Sequence, residues 1–362
     1  MIRVLHVLDE LRSSGAEVAL RHAGPLWEEF GVSCDVLATG ADVGPYAEQL
    51  LTAGYGVHHI PFSRDPRFLS SLATYLRSQR YDVVHVQLER AFVYISLIAV
   101  ATGSRVVRTV RSCYPFEGRL ARRRSLQRAF ARTIGTTFVA ISESVARNES
   151  ERFHNPTTQV DNWIDVERFK PPTDEQRSQA RLTLEVPDEA FAIATVGNCS
   201  VAKNHRALIA ALARMESRDW IWLHVGSEDG DSGERQLVQE LGVADRCRFL
   251  GRSDPLDALH AADTYAMPSL WEGLGMATVE AMSTGLSTVL TRVAGSRDLE
   301  ALSRRIAWAD PDPESLAVAL EQSMRDAESQ DRAEDRIMQV EAVAARYSPK
   351  HGVARYAAMY RG

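Results

Sequence analysis

Lysine is almost missing from this sequence. Of its 42 basic residues only three, Lys170, Lys203 and Lys350, are lysines, a bias of genome composition rather than of chemistry, but one that makes each lysine worth inspecting. There is no basic surplus either. The net charge is −6, which argues against a nucleic-acid partner, whose footprint is a strong positive excess. Cysteine is scarce: Cys34, Cys113, Cys199 and Cys247 lie far apart, with no C-x-x-C pair and few histidines nearby. That spacing indicates neither a zinc knuckle nor a disulfide framework and leaves buried thiols. No run is long enough to span a bilayer, and the longest nearly uncharged stretch, Ala91 to Gly103, reads as a buried helix. Met1-Ile-Arg-Val-Leu-His-Val-Leu8 enters a strand-like run at once, without the charged, apolar and cleavage regions of a signal peptide, so a cytoplasmic protein is expected.

What is present is an ordinary globular composition, 45% apolar and 25% charged over 362 residues, enough for two domains of ~150 to 200 residues. Short β-branched runs alternate with amphipathic stretches. Strands are expected at Arg3 to Leu8, Cys34 to Thr39, Val57 to Pro61, Asp82 to Gln87, Arg105 to Val110 and Phe138 to Ser142. Helical runs such as Glu17 to Phe30 and Leu69 to Gln79 separate them. After Pro171-Pro172 a second series follows: Ala192 to Val196, Trp220 to Val225, Cys247 to Leu250, Thr264 to Met267 and Ser287 to Thr291. This is the α/β pattern of two Rossmann-like, doubly wound parallel sheets with a cleft between them. The domains are expected over 1–168 and 169–346, with a terminal helix in 347–362 whose Val353, Tyr356, Ala357 and Tyr360 share one face.

The richest chemistry lies in Pro268 to Gly285, where Glu272 and Glu280 stand eight residues apart around a glycine loop. Gly273 and Gly275 permit a tight turn, and a helix starting near Gly275 aims unpaired N–H groups back at it. Two carboxylates within roughly 12 Å, at ~1.5 Å per residue, would bracket a diphosphate, one reaching a ribose and the other a sugar. A carboxylate, which only accepts hydrogen bonds, suits vicinal hydroxyls. Taken alone, such a pair is more often a loop acid and a helix-surface acid.

The run from Ala262 to Gly285 resembles the donor-site signature of family 4 glycosyltransferases, retaining enzymes of the GT-B fold, and the likeness extends over nearly the whole chain. It implies donor contacts from Gly273, Leu274, Gly275 and Met276, with Glu272 on the transferred sugar and Glu280 on the ribose. Thr195 to His205 is similar to the family's Gly-Arg…Lys segment, implying that Gly197 turns and Lys203 opens the next helix and neutralises a departing diphosphate. Asn198 stands where a second phosphate-binding cation is usual, a loss for which Arg252 or Arg292 would compensate. Leu250-Gly251-Arg252 matches the segment that meets the nucleobase. Ser13-Ser14-Gly15-Ala16-Glu17 resembles the family's Gly-Gly-Ala-Glu loop, with Gly15 approaching the diphosphate and Ser14 narrowing access.

Other positions depart from the family pattern. Gln87 replaces the second histidine of a His-x-His strand end; an amide can hold an acceptor hydroxyl but is no base. His85 is expected to face the other side of the sheet or to serve as a packing partner, and Arg108 and Arg111 either bind an acceptor or line the rim. Trp163 replaces the glycine of an Asn-Gly-Ile-Asp linker. Arg119 to Arg132 is the sharpest charge cluster, expected as a helix docked by Leu126, Phe130 and Ile134 with arginines around the rest. In lipid-directed members a basic helix here touches anionic membrane, and an anionic soluble acceptor is another use for it. The resemblance thus implies metal-independent, retaining transfer from a UDP-type nucleotide sugar to an acceptor hydroxyl, with no cofactor beyond the co-substrate. The departures at Asn198 and Gln87 leave open a catalytically silent nucleotide-sugar-binding partner subunit, or an epimerase or phosphorylase on the same fold.

Overall fold

A computed structural model describes all residues except 115, 218, 229–232 and 328–332. The chain divides into two compact units, Met1–Ile164 with Tyr347–Gly362, and Asp165–Arg346. In the first, β1 (Ile2–Leu8), β2 (Val32–Ala38), β3 (Gly56–His59), β4 (Val83–Val86), β5 (Arg105–Val110), β6 (Thr136–Ala140) and β7 (Thr158–Gln159) form one sheet in the order β3-β2-β1-β4-β5-β6-β7. In the second, β8 (Phe191–Val196), β9 (Trp220–Val225), β10 (Cys247–Phe249), β11 (Thr264–Met267), β12 (Ser287–Thr291) and β13 (Ile306–Ala309) run in the order β10-β9-β8-β11-β12-β13. All the pairings are parallel. A parallel sheet is covered on both faces, so its central strands read as continuous apolar runs, and every residue of Trp220-Ile-Trp-Leu-His-Val225 is buried.

Each sheet reverses its strand order once, between β1 and β4 in the first unit and between β8 and β11 in the second. Loops diverge there and leave a crevice at the strand C-termini. Gly15 and Gln87 follow β1 and β4; Lys203 and Glu272 follow β8 and β11. These four residues, singled out by sequence, therefore sit at the two switch points.

Several local expectations are corrected. The helix expected over Glu17 to Phe30 ends at Ala23 and continues as a 3-10 turn, Gly24–Phe30, because Pro25 has no N–H to extend the ladder. The helix Phe92–Ala101 is only half covered, with Tyr94, Leu97 and Val100 exposed. The helix Gly118–Thr133 is turned opposite to expectation: Leu126 and Phe130 are 71% and 45% exposed, whereas Arg128 is fully buried. Its guanidinium grips Glu149 through two bonds of 2.7 and 2.9 Å and reaches Glu89 Oε1 at 3.1 Å. Glu89 also binds the buried Arg108, which lies over the Phe92 ring at 4.0 Å. Charge complementarity overrides the apolar stripe here, and Arg108 is a core residue with no acceptor role. Removing one member of such a network strands the others in a poor solvent. Arg128→Ala is expected to cost about 3 to 5 kcal/mol, seen as a fall in Tm of roughly 10 °C.

The terminal helix Pro349–Arg361 buries Val353, Tyr356, Ala357 and Tyr360 in the first unit's core beside Leu20 and Trp27. Tyr360 Oη meets His85 Nδ1 at 2.6 Å, and His85 Nε2 meets Thr109 Oγ1 at 2.7 Å. His85 is thus a packing residue, as expected. Trp163 is buried as well; its Nε1 donates to Ala19 O at 2.7 Å, and a Cβ on Gly352 would lie 2.1 Å from its ring. The large ring staples the terminal helix to the helix Gly15–Ala23.

Candidate active site

In the second unit, two loops leave adjacent strands and are stitched together. Leu270 N–H donates to Ala202 O at 2.8 Å, and Asn204 Nδ2 donates to Pro268 O at 3.1 Å. This brings residues 69 positions apart into contact: Lys203 Nζ and Glu272 Oε2 are 2.5 Å apart, both largely buried. Lys203 lies in the turn before the helix rather than opening it, since the helix begins at His205. Ser269 Oγ also reaches Glu272 at 3.4 Å, and Thr291 Oγ1 fixes Ser269 O at 2.6 Å. Gly275 holds a left-handed φ of 71° and caps the helix Met276–Ser283. A Cβ there would press on Glu272 Cγ at 3.3 Å and Thr278 Oγ1 at 3.2 Å, so glycine is required. Gly273 and Leu274 are buried, Met276 half-buried.

Glu280 lies one turn into that helix, closely surrounded by protein although part of its side chain stays accessible. Desolvation raises its pKa to about 8; Arg168 opposes the shift and Asp254 adds to it. Arg168 and Asp254 pair with each other, which dilutes the cation's help. Glu280 is therefore mostly protonated at neutral pH, which corrects the expectation of a carboxylate that only accepts: it can also donate a hydrogen bond.

The neighbouring strand ends form a third piece. Ser227, after β9, donates its N–H to Asn198 Oδ1 at 2.8 Å, and its hydroxyl accepts from Arg252 Nη2 at 3.1 Å. Asn198 is thus engaged in tying β8 to β9, while Arg252 is exposed and reaches the switch point through Ser227. Arg292 instead lies over the Trp308 ring at 5.2 Å. A Cβ on Gly226 would fall 2.1 Å from Gly197 O, and one on Gly197 would fall 3.3 Å from Lys203 Cε. The missed residues Gly226 and Ser227 follow a strand as Gly197 does, a signal present in the sequence. Gly295 was also missed. It packs so tightly against the Glu272-Gly273 backbone that a Cβ would lie 2.7 Å from Glu272 O. Gly295→Ala should push this loop away from Lys203 and cost about 1 to 3 kcal/mol of stability, seen as a lower Tm.

In the first unit, Gln87, Arg111 and Gly15 come together. Arg111 donates to Gln87 Oε1 through Nε at 3.1 Å and through Nη2, and its Nη1 reaches Asn162 Oδ1 at 3.4 Å. Asn162 Nδ2 reaches Gly15 O at 3.4 Å. Gln87 Nε2 donates to His6 Nδ1 at 2.9 Å. Burial, then Arg111, lowers the His6 pKa to about 3, so the ring is neutral and accepts. With Oε1 accepting from Arg111 and Nε2 donating to His6, Gln87 positions Arg111. Ser14 caps the helix Gly15–Ala23 by accepting from Ala16 N at 3.3 Å and bonds the buried Glu17. It serves as a cap rather than as a gate.

The family described as "Glycosyl transferases group 1" matches residues 176–339, and "Glycosyltransferase Family 4" matches residues 13–168. The chain belongs to the family 4 glycosyltransferases. It is 32% identical over 205 residues to a D-inositol 3-phosphate glycosyltransferase of Corynebacterium urealyticum, covering 53% of this chain and 46% of that one. It is 25% identical over 315 residues to the "Putative glycosyltransferase EpsF" of Bacillus subtilis, covering 80% and 79%. The chain thus spans about half the length of the first relative. Among solved structures, a glycosyltransferase from Rickettsia africae superposes with a TM-score of 0.86 at 17% identity, covering 99% of this chain and 98% of that one. Anabaena HepE in complex with UDP and glucose gives 0.81 at 19%, covering all of both chains. The fold is GT-B.

Proposed function

We propose that this family member transfers a hexose-type residue from a nucleoside diphosphate sugar, UDP-linked in our reading, to an acceptor hydroxyl with retention of configuration. The carrying observation is the Lys203–Glu272 pair at the β8/β11 switch point, one helical turn from Glu280. Lys203 and the N–H groups at the start of the helix Met276–Ser283 neutralise the diphosphate, so the reaction needs no divalent ion. Glu272 orients the sugar hydroxyls and Glu280 the ribose. The acceptor oxygen bonds to the anomeric carbon on the face from which the phosphate leaves. The breaking C–O bond gives its electron pair to the phosphate oxygen, which takes the acceptor proton. No side-chain base is required, and Gln87 is compatible with that. UDP and glucose in the HepE structure support the choice of donor class.

The test is incubation with a panel of nucleotide sugars and acceptors. Nucleotide release that depends on acceptor, with an NMR coupling showing the donor's anomeric configuration in the product, is expected. Inversion would remove this mechanism, and tight binding without turnover across a broad acceptor panel would favour a silent partner subunit.

For the acceptor, we propose a lipid-borne one. Among the described residues no helix is long and apolar enough to cross a membrane. However, the helix Gly118–Thr133 exposes Arg119, Arg122 and Arg123 beside Leu120, Leu126 and Phe130. It packs against the helix Phe92–Ala101, whose Tyr94, Leu97 and Val100 are also open. Basic groups around exposed apolar side chains suit an anionic bilayer surface. The chain should co-sediment with phosphatidylglycerol vesicles and not with phosphatidylcholine vesicles. Arg122→Glu with Arg123→Glu should weaken that binding about tenfold or more; equal binding to both vesicles would dismiss the idea.

A further inference from the structure

Three side chains with metal-binding atoms meet at the base of the Lys203 loop. Cys199 follows β8, His205 starts the helix His205–Arg214, and His224 belongs to β9; all three are buried. One ligand atom from each lies within 4.8 Å of the other two. Cys199 Sγ is 3.8 Å from His224 Nε2, and the two imidazoles meet edge to face at 4.9 Å. His205 is 0% exposed, yet neither of its ring nitrogens has a hydrogen-bond partner, and His224 Nδ1 has none. Trp222 and Phe249, which flank the pair, present aromatic faces rather than acceptors. Buried polar atoms are rarely left unsatisfied, and an imidazole with two orphaned nitrogens calls for a ligand.

We propose that Cys199, His205 and His224 form a three-ligand site for a borderline-soft divalent ion, with Zn²⁺ as its occupant. One thiolate and two imidazoles suit that ion, whereas Mg²⁺ and Ca²⁺ want oxygen ligands. Tetrahedral bonds of about 2.0 to 2.3 Å set ligand atoms roughly 3.5 Å apart, so the site closes by little more than an ångström to bind. Binding forms an S–Zn bond and releases the thiol proton to solvent. The ion lies under the donor loop and takes no part in transfer. Cys199 and His205 bracket Lys203 in sequence, so its effect is to hold both ends of that loop in one arrangement.

Co²⁺ titrated into the chelator-treated full chain, as a spectroscopic stand-in for Zn²⁺, tests this directly. One equivalent should bind with a thiolate charge-transfer band, be displaced by Zn²⁺, and raise Tm as any native-state ligand does. Cys199→Ala should abolish the band and His205→Gln should weaken binding at least tenfold, with unchanged far-UV circular dichroism. Cys34→Ala and Cys247→Ala should keep the band. Should His205→Gln fail to fold, Cys199→Ser decides the matter. A band that survives in Cys199→Ala, or a wild-type chain showing neither band nor Tm rise, overturns the site whatever the fate of the transferase reading.

Discussion

Lys203→Ala should fold normally and lower kcat by about 10² to 10³, the loss seen when one donor to a developing oxyanion is removed. The structure gives this expectation a particular form. The ammonium is 2.5 Å from Glu272 Oε2, so without donor its charge is held by a protein carboxylate. On the proposed reading, an incoming diphosphate would compete for that ammonium and free Glu272 to turn to the sugar hydroxyls. The stability cost of the mutation should be only about 1 kcal/mol, because the pair is not fully desolvated. Glu272→Ala should be strongly impaired as well, and the double variant should be little worse than either single one, since residues that act as a unit are not additive. Steady-state rates at saturating donor, with Tm for each variant, check this. A Lys203→Ala enzyme within threefold of wild type would remove the lysine from the reaction.

How much of this was legible beforehand varied with the kind of signal. Strand residues announced themselves: Arg105 to Val110, Trp220 to Val225, Thr264 to Met267 and Ser287 to Thr291 coincide with β5, β9, β11 and β12, because short runs rich in β-branched and aromatic residues mark buried strands. The two short strands β7 and β13 were missed; the first is only two residues long, too short to carry a pattern. Loop motifs placed Lys203, Glu272 and Gly275 correctly at one switch point, since glycine and rare charge mark such places. Side-chain direction was another matter. Arg128 turned inward because Glu89 and Glu149, 39 and 21 residues away, wait there. No local periodicity can report a partner that distant. The same reason hid His224 from Cys199, and hid the bonds of Gln87 to His6 and Arg111.

The protonation of Glu280 gives the largest stability effect. Its pKa is about 8 in the native chain against an ordinary 4.5, so between those values the native state holds a proton that the unfolded chain has lost. Stability attributable to this group is then full below about pH 4.5 and falls as pH rises through 8. The span corresponds to at most about 5 kcal/mol at 1.36 kcal/mol per unit, an upper bound because part of the side chain keeps its solvent. Glu280→Gln removes the titration, so the variant should gain on wild type steadily from pH 5 to pH 8.5 in Tm or urea midpoint. At pH 6.5 the amide, which like the acid can both donate and accept, should keep UDP affinity within a few fold. Glu280→Ala should lose about ten- to a hundredfold, the worth of one or two hydrogen bonds in a closed site. Parallel stability profiles for wild type and Glu280→Gln would show that the native carboxyl is ionised throughout, and unchanged UDP affinity in Glu280→Ala would take the residue out of the donor site.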